Sequence, residues 1–298
     1  MTLSTVLIAL AIVVPPLVIA RPWSGSQVIA SPGRSPKSID QNPHLTCNAA
    51  VTVFGVLQNG TIYIYPHTNS ENGKVVWGQK RYIGSGWHIG RTLAGPGGFV
   101  YLMVTDTGEL RRYRWNGDDW DSFDGGGQYR VVGNGWSRYS QPAYRNKVTV
   151  DEKGRLYEID AEGHLKVFFS DAGDDWAPEV GGGRVLATGW NQYDLLVAAG
   201  DGVLYARKPN GNLSRFRYHA SSGQFVQHGL LVGQGWQFYN HIFSPGGDIL
   251  YGTRPEGDGE LVWYRYLEGT NTLTGGEVVG TEWYDHLDVV ATTDDCKL

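Results

Sequence analysis

Concentrated positive charge is missing from this chain of 298 residues. Lysine and arginine number 25 against 30 acidic residues, the net charge is −5, and the basic residues are scattered along the sequence. Nucleic acid needs a concentrated basic face, so it is not an expected partner. The eight histidines show no metal-ligand spacing, and no Gly-x-Ser-x-Gly elbow occurs. Asp151, Glu152 and Asp160 do not follow the order of a calcium loop. No metal and no cofactor is expected. Cysteine is scarce, with only Cys47 and Cys296.

Glycine, by contrast, is abundant at 42 residues, tryptophan numbers 11, and aromatics make up 12%. That composition suits an all-β protein with many tight turns. Val232-Gly233-Gln234-Gly235-Trp236 recurs as Val132-Gly133-Asn134-Gly135-Trp136 and Ile83-Gly84-Ser85-Gly86-Trp87. Looser copies end at Trp190 and Trp283, and successive tryptophans lie 49, 54, 46 and 47 residues apart. A period in the forties is the mark of a propeller or solenoid and argues for one closed domain.

Leu3 to Ala20 is almost wholly apolar, with Pro15, Pro16 and a small-residue pattern at Val18-Ile19-Ala20. Residues 1–20 read as a secretory signal peptide, the alternative being an uncleaved membrane anchor. Secretion, with no membrane insertion after cleavage, is the expectation. Residues 21–46, rich in Ser, Pro and Gly, read as a flexible linker or a short propeptide. The propeller would then span 47–298, in repeats of about 47–87, 88–136, 137–190, 191–236 and 237–283 with a closing strand over 284–298.

Each repeat follows one grammar. In the fifth, strands are predicted at His241-Ile242-Phe243, Ile249 to Thr253, Glu260 to Tyr266 and Gly276 to Val279, with polar turns between them. The first repeat lacks its first strand, while Asp285 to Ala291 has that grammar and no second strand after it. The C-terminal strand therefore completes the first blade. The prediction is a five-bladed β-propeller of four-stranded antiparallel blades, which leaves no open seam. Cys296 then falls in the turn that Cys47 follows, and a disulfide between them replaces the missing covalent link; two free thiols are the alternative.

With that grammar in view, Ile242 to Gly252 resembles the first hairpin of the tachylectin repeat, in the family of five-bladed propeller lectins. Gly-x-Gly-Trp followed by an aromatic three residues on resembles its blade junction. Leu110-Arg111-Arg112-Tyr113-Arg114 with Asp118-Asp119-Trp120 resembles bacterial relatives. The resemblance implies non-catalytic binding of glycans bearing N-acetylated sugars, such as N-acetylglucosamine or N-acetylgalactosamine, in pockets between blades.

Sugar recognition needs an aromatic face for the ring and planar polar groups for the hydroxyls and acetamide. The candidates are the closing Trp136, Trp190 and Trp236, with Tyr139, Tyr193 and Tyr239 three residues on; Gly90 and His286 take that place in the other two turns. A second set is Asp119, Trp120, Asp175 and Trp176, in Gly-rich loops between third and fourth strands. Against these stand plain structural roles: turn-forming aspartates, and tryptophans packed between blades. Asn59 and Asn212 head glycosylation sequons beside second-to-third strand turns. Two other functions stay open. A glycoside hydrolase would use inner-strand carboxylates, with Asp194, Asp285 and Asp288 as candidates. A protein-binding scaffold would need no sugar site.

Overall fold

The structure, a computed structural model, describes residues 45–123, 125–168 and 183–298. The expected signal peptide and nearly all of the expected linker lie outside these residues, as do Asp175 and Trp176. Among the described residues no helix is long and apolar enough to cross a membrane.

Five antiparallel sheets follow the predicted grammar. Blade two runs Gly90–Ala94, Phe99–Val104, Leu110–Arg114 and Arg130–Gly133 from inside to outside. Blade three is Val148–Val150, Leu156–Ile159, Leu165–Phe168 and Arg184–Ala187; blade four is Leu195–Ala198, Val203–Arg207, Leu213–His219 and Gln224–Gly233. Blade five is His241–Phe243, Ile249–Thr253, Leu261–Leu267 and Thr272–Gly280. Blade one takes its inner strand, His286–Ala291, from the C-terminus. That strand pairs antiparallel with Val51–Leu57, Val53 facing Ala291 and Leu57 facing His286. Ile62–Thr68 follows, and the outer position is split between Val76–Trp77 and Arg81–Gly84.

The five inner strands touch in cyclic order. Their side chains, Leu93, Val148, Leu196, Phe243 and Val290 among them, leave an axial cavity of about 40 Å³, room for little more than a water. Cys47 and Cys296 face each other in a two-residue ribbon and are disulfide-bonded across 249 residues of sequence, as expected.

The recurring Gly-x-Gly-Trp has a steric explanation at each position. The second glycine adopts a left-handed conformation, φ 87° at Gly86, 84° at Gly135 and 80° at Gly235, which a side chain opposes. A Cβ on the first glycine would meet the indole nitrogen of its own tryptophan, at 2.7 Å for Gly133 and 2.2 Å for Gly233. The backbone N–H of the tryptophan then donates to a glycine carbonyl in the second-to-third strand turn of the same blade. The five bonds are Trp87 to Gly60, Trp136 to Gly108, Trp190 to Gly163, Trp236 to Gly211 and Trp283 to Gly259, at 2.8–3.0 Å. Each closing turn is thereby fastened to its blade before the chain enters the next one.

Candidate functional site

The blade junctions are built from a repeated aromatic wedge. Each closing tryptophan packs against a third-strand aromatic of the following blade. Centroids are 4.7 Å apart for Trp87–Tyr113, 5.1 Å for Trp136–Phe168, 4.5 Å for Trp190–Phe216, 4.8 Å for Trp236–Tyr264 and 4.7 Å for Trp283–Tyr65. A third ring comes from the loop before the outer strand or from the outer strand itself. Trp120 stacks on Trp87 at 5.2 Å, and its indole N–H donates to the Ile83 carbonyl at 2.6 Å. Trp77 does the same at the closing seam, 5.9 Å from Trp283 and bonded to the Val279 carbonyl at 2.6 Å. Phe225 stands against Trp190 in blade four.

Between blades one and two the wedge opens into a cleft of about 550 Å³. Its lining combines the rings of Tyr82, Trp87, Tyr113, Trp120 and Tyr129 with Arg111, Asp119 and Gln128, and with the backbone of Ile83 to Gly86. Tyr82 is 58% exposed and Tyr129 38%, so their faces are available, whereas Trp87 and Trp120 are buried and form the floor. Gly90 follows Trp87 where three other junctions carry tyrosine, because a Cβ there would strike the Met103 carbonyl at 2.1 Å. The missing ring leaves this junction without the phenol that packs against the wedge elsewhere.

The polar rim is held in place. Asn116 Oδ1 accepts the N–H groups of Asp118 and Asp119 at 3.0 and 2.9 Å, and Asp119 Oδ1 caps the Trp120 N–H at 2.7 Å. Arg111 pairs with Glu109 at 2.6 Å and lies 4.6 Å from the Tyr129 centroid. Burial pushes the Tyr113 hydroxyl above its ordinary value, so it stays a neutral donor. The cleft therefore offers apolar faces beside oriented donors and acceptors without a bound charge at its floor, and its volume is that of a small-molecule site.

The other sequence candidates are placed as follows. Trp136, Trp190 and Trp236 are buried within their wedges, and Tyr139, Tyr193 and Tyr239 are buried beside them. The Tyr239 hydroxyl bonds to that of Tyr264 at 2.6 Å. Tyr82, Tyr113, Tyr129, Arg111 and Gln128 were not anticipated. Tyr113 had a signal, since an aromatic recurs at its place in every third strand; the others occupy variable positions. Asn59 is exposed on a turn; Asn212 is half-buried, and Ser214 of its sequon is buried within a strand.

Two of the three inner-strand carboxylates are engaged, each by its own arginines. Asp288, fully buried, is clamped by Arg91 and, at 2.7 Å, by Arg145, and accepts the Thr92 N–H at 2.9 Å. Asp194 makes a two-pronged pair with Arg207 at 3.0 and 3.1 Å, and Asp285 is exposed. Asp160, Glu162 and His164 lie close enough to share a cation, but Lys166 already occupies Asp160 at 2.8 Å.

A tachylectin family model matches residues 55–288. No curated protein sequence matches the chain. Among solved structures, the chain is similar to a symmetrical protein whose de novo evolutionary emergence is shaped by folding constraints. Identity is 19%, with 81% of this chain and 98% of that one covered, at a TM-score of 0.54, a likeness of fold alone. A chain of a nidogen/laminin complex aligns at 9% identity over 82% of this chain and 98% of that one, with a TM-score of 0.43.

Proposed function

The chain belongs to the tachylectin family, and from that premise we propose that it is a secreted, non-catalytic lectin that binds N-acetylated sugars on glycans. The observation that carries this reading is the cleft between blades one and two, where Tyr82 and Tyr129 present aromatic faces beside Asp119, Gln128 and Arg111. A pyranose ring stacks its apolar side on such a face while hydroxyl and acetamido groups take the rim. Trp120 serves as the floor of this pocket and, through its bond to Ile83, as the strut that keeps it open. Trp136, Trp190 and Trp236, with Tyr139, Tyr193 and Tyr239, would back the equivalent sites at the other junctions, and Asp175 and Trp176 would be the blade-three counterparts of Asp119 and Trp120.

Weak single sites, about millimolar each, on one rigid ring would gain avidity of about 10²–10⁴ against dense glycans where several junctions engage. Titration calorimetry with N-acetylglucosamine and N-acetylgalactosamine on the full chain tests the proposal. Tyr82→Ala and Asp119→Ala should each lower affinity at least about fivefold, the first with an unchanged melting temperature. Wild-type protein that binds neither sugar, in solution or on a glycan array, would refute it.

A further inference from the structure

One connection departs from the repeat. The chain runs from a closing tryptophan to the next inner strand in two residues after Trp87 and Trp283 and in four after Trp190 and Trp236, but in eleven between Trp136 and Val148. These extra residues are rich in positive charge: Arg138, Arg145 and Lys147. Arg138 and Lys147 flank one ring, at 5.4 and 5.2 Å from the centroid of Tyr144. Arg145 reaches the mouth of the axial channel and shares Asp288 with Arg91. Arg91 donates in turn to the Arg145 carbonyl at 3.1 Å, which joins loop and inner strand into one unit.

The charges in this unit do not balance. Asp288 is one carboxylate against two guanidiniums, and Thr92 adds a third donor to it. The Nε of Arg145 is buried with no hydrogen-bond partner. Arg91 is 7% exposed, so its charge is poorly hydrated. The other groups felt here are His241, neutral because burial takes it down to about 4, and Glu158, buried beside Tyr139 and Arg138. Burial raises the Glu158 carboxyl above its ordinary range, so it offsets Arg138 less than an exposed carboxylate would. A cationic spot thus sits on a molecule whose net charge is −5. It lies at the ring end where the closing turns stand, the same end that supplies Ile83 to Trp87 to the cleft.

We propose that the loop 137–147 and Arg91 form an anion-binding site at the channel mouth that takes the carboxylate or sulfate of an acidic saccharide. Guanidinium and ammonium groups at a partly dehydrated mouth bind such oxyanions through charge-assisted hydrogen bonds. The saccharide part rests on the lectin reading; the anion part does not.

Calorimetry on the full chain separates the two. The ligands are N-acetylglucosamine, its 6-sulfate, N-acetylneuraminic acid and inorganic sulfate. The variant is Arg138→Gln with Lys147→Gln, which spares the Asp288 clamp. The sulfated or sialylated sugar should bind about tenfold tighter than the neutral one. That advantage should vanish in the double variant and in about 0.5 M salt, where screening acts within about 4 Å. Equal affinity for charged and neutral sugars, or an advantage that survives the double substitution at unchanged melting temperature, overturns the proposal. Inorganic sulfate binding with no gain from an attached sugar overturns its saccharide part. Acidic sugars that bind where neutral ones do not would count against the lectin cleft and not against this site.

Discussion

Four of the five closing turns place glycine in the left-handed conformation before tryptophan, and the fifth places Glu282 there at φ 69°. A side chain in that region costs about 1–2 kcal/mol. Glu282→Gly should therefore raise stability by about 1 kcal/mol, read as a shifted urea midpoint with an unchanged slope. At the same scale Trp120 and Tyr82 divide the work of the cleft. Trp120 is 8% exposed and bonded through its indole, so Trp120→Ala should lower stability by about 3–5 kcal/mol along with binding. Tyr82→Ala should alter binding alone, and thermal melts of the two variants side by side distinguish floor from face.

Among the elements, the seam between blades five and one is chemically distinct. His67, His241 and His286 all lie there, and the other described histidines do not. His67 bonds Tyr251 of blade five at 2.6 Å, His286 bonds Tyr65 at 3.1 Å, and His241 donates to the His286 carbonyl at 3.2 Å. Burial lowers all three, His241 and His286 to about 4. The unfolded chain then binds more protons than the folded one between about pH 4 and 6.5, so stability falls as pH drops through that window. Asp295, beside Cys296, has the opposite sign: burial raises it to about 6, and its share of stability is lost as pH rises through that value. Glu152, Glu158 and Asp248 are raised by burial as well and share its sign, so the histidine part is read as a difference. Urea denaturation should show that His241→Gln loses about 2 kcal/mol less stability than the wild type from pH 6.5 to 4.5. An equal loss in the two proteins would mean that the seam tolerates the charge.

For the whole molecule, closure depends on the chain ends meeting. The Cys47–Cys296 bond closes a loop of 249 residues, worth about 5 kcal/mol at most in the chain-entropy description. The inner strand His286–Ala291 stays paired to Val51–Leu57 without it, so reduction should lower the melting temperature without abolishing the fold. Hydrogen exchange of the reduced protein should show protection lost first in these two strands, since with the short Cys47–Cys296 ribbon they join the ends. Uniform loss across all five blades would indicate that the ring opens as one unit.

The amino-acid sequence by itself determined the blade count, the strand grammar, the C-terminal closure and the disulfide. Those features are local or periodic: alternation marks a strand, and a left-handed glycine before tryptophan marks a blade end, wherever the blade sits. It also placed Asp119 and Trp120 in a loop of interest, but it could not say which ring would be a floor and which a face. Burial of Trp120, Trp136 and Tyr139 depends on the neighbouring blade, a contact tens of residues away in the chain. Only the tertiary structure gathered Tyr82, Arg111, Tyr129 and Gln128 around Trp87, or brought Arg91 to the loop that carries Arg138, Arg145 and Lys147. Arg138, Arg145 and Lys147 are neighbours along the chain, and the packing of adjacent blades brings Arg91 to them. A repeat encodes how each blade is made, whereas a site between blades forms from the positions where the copies differ.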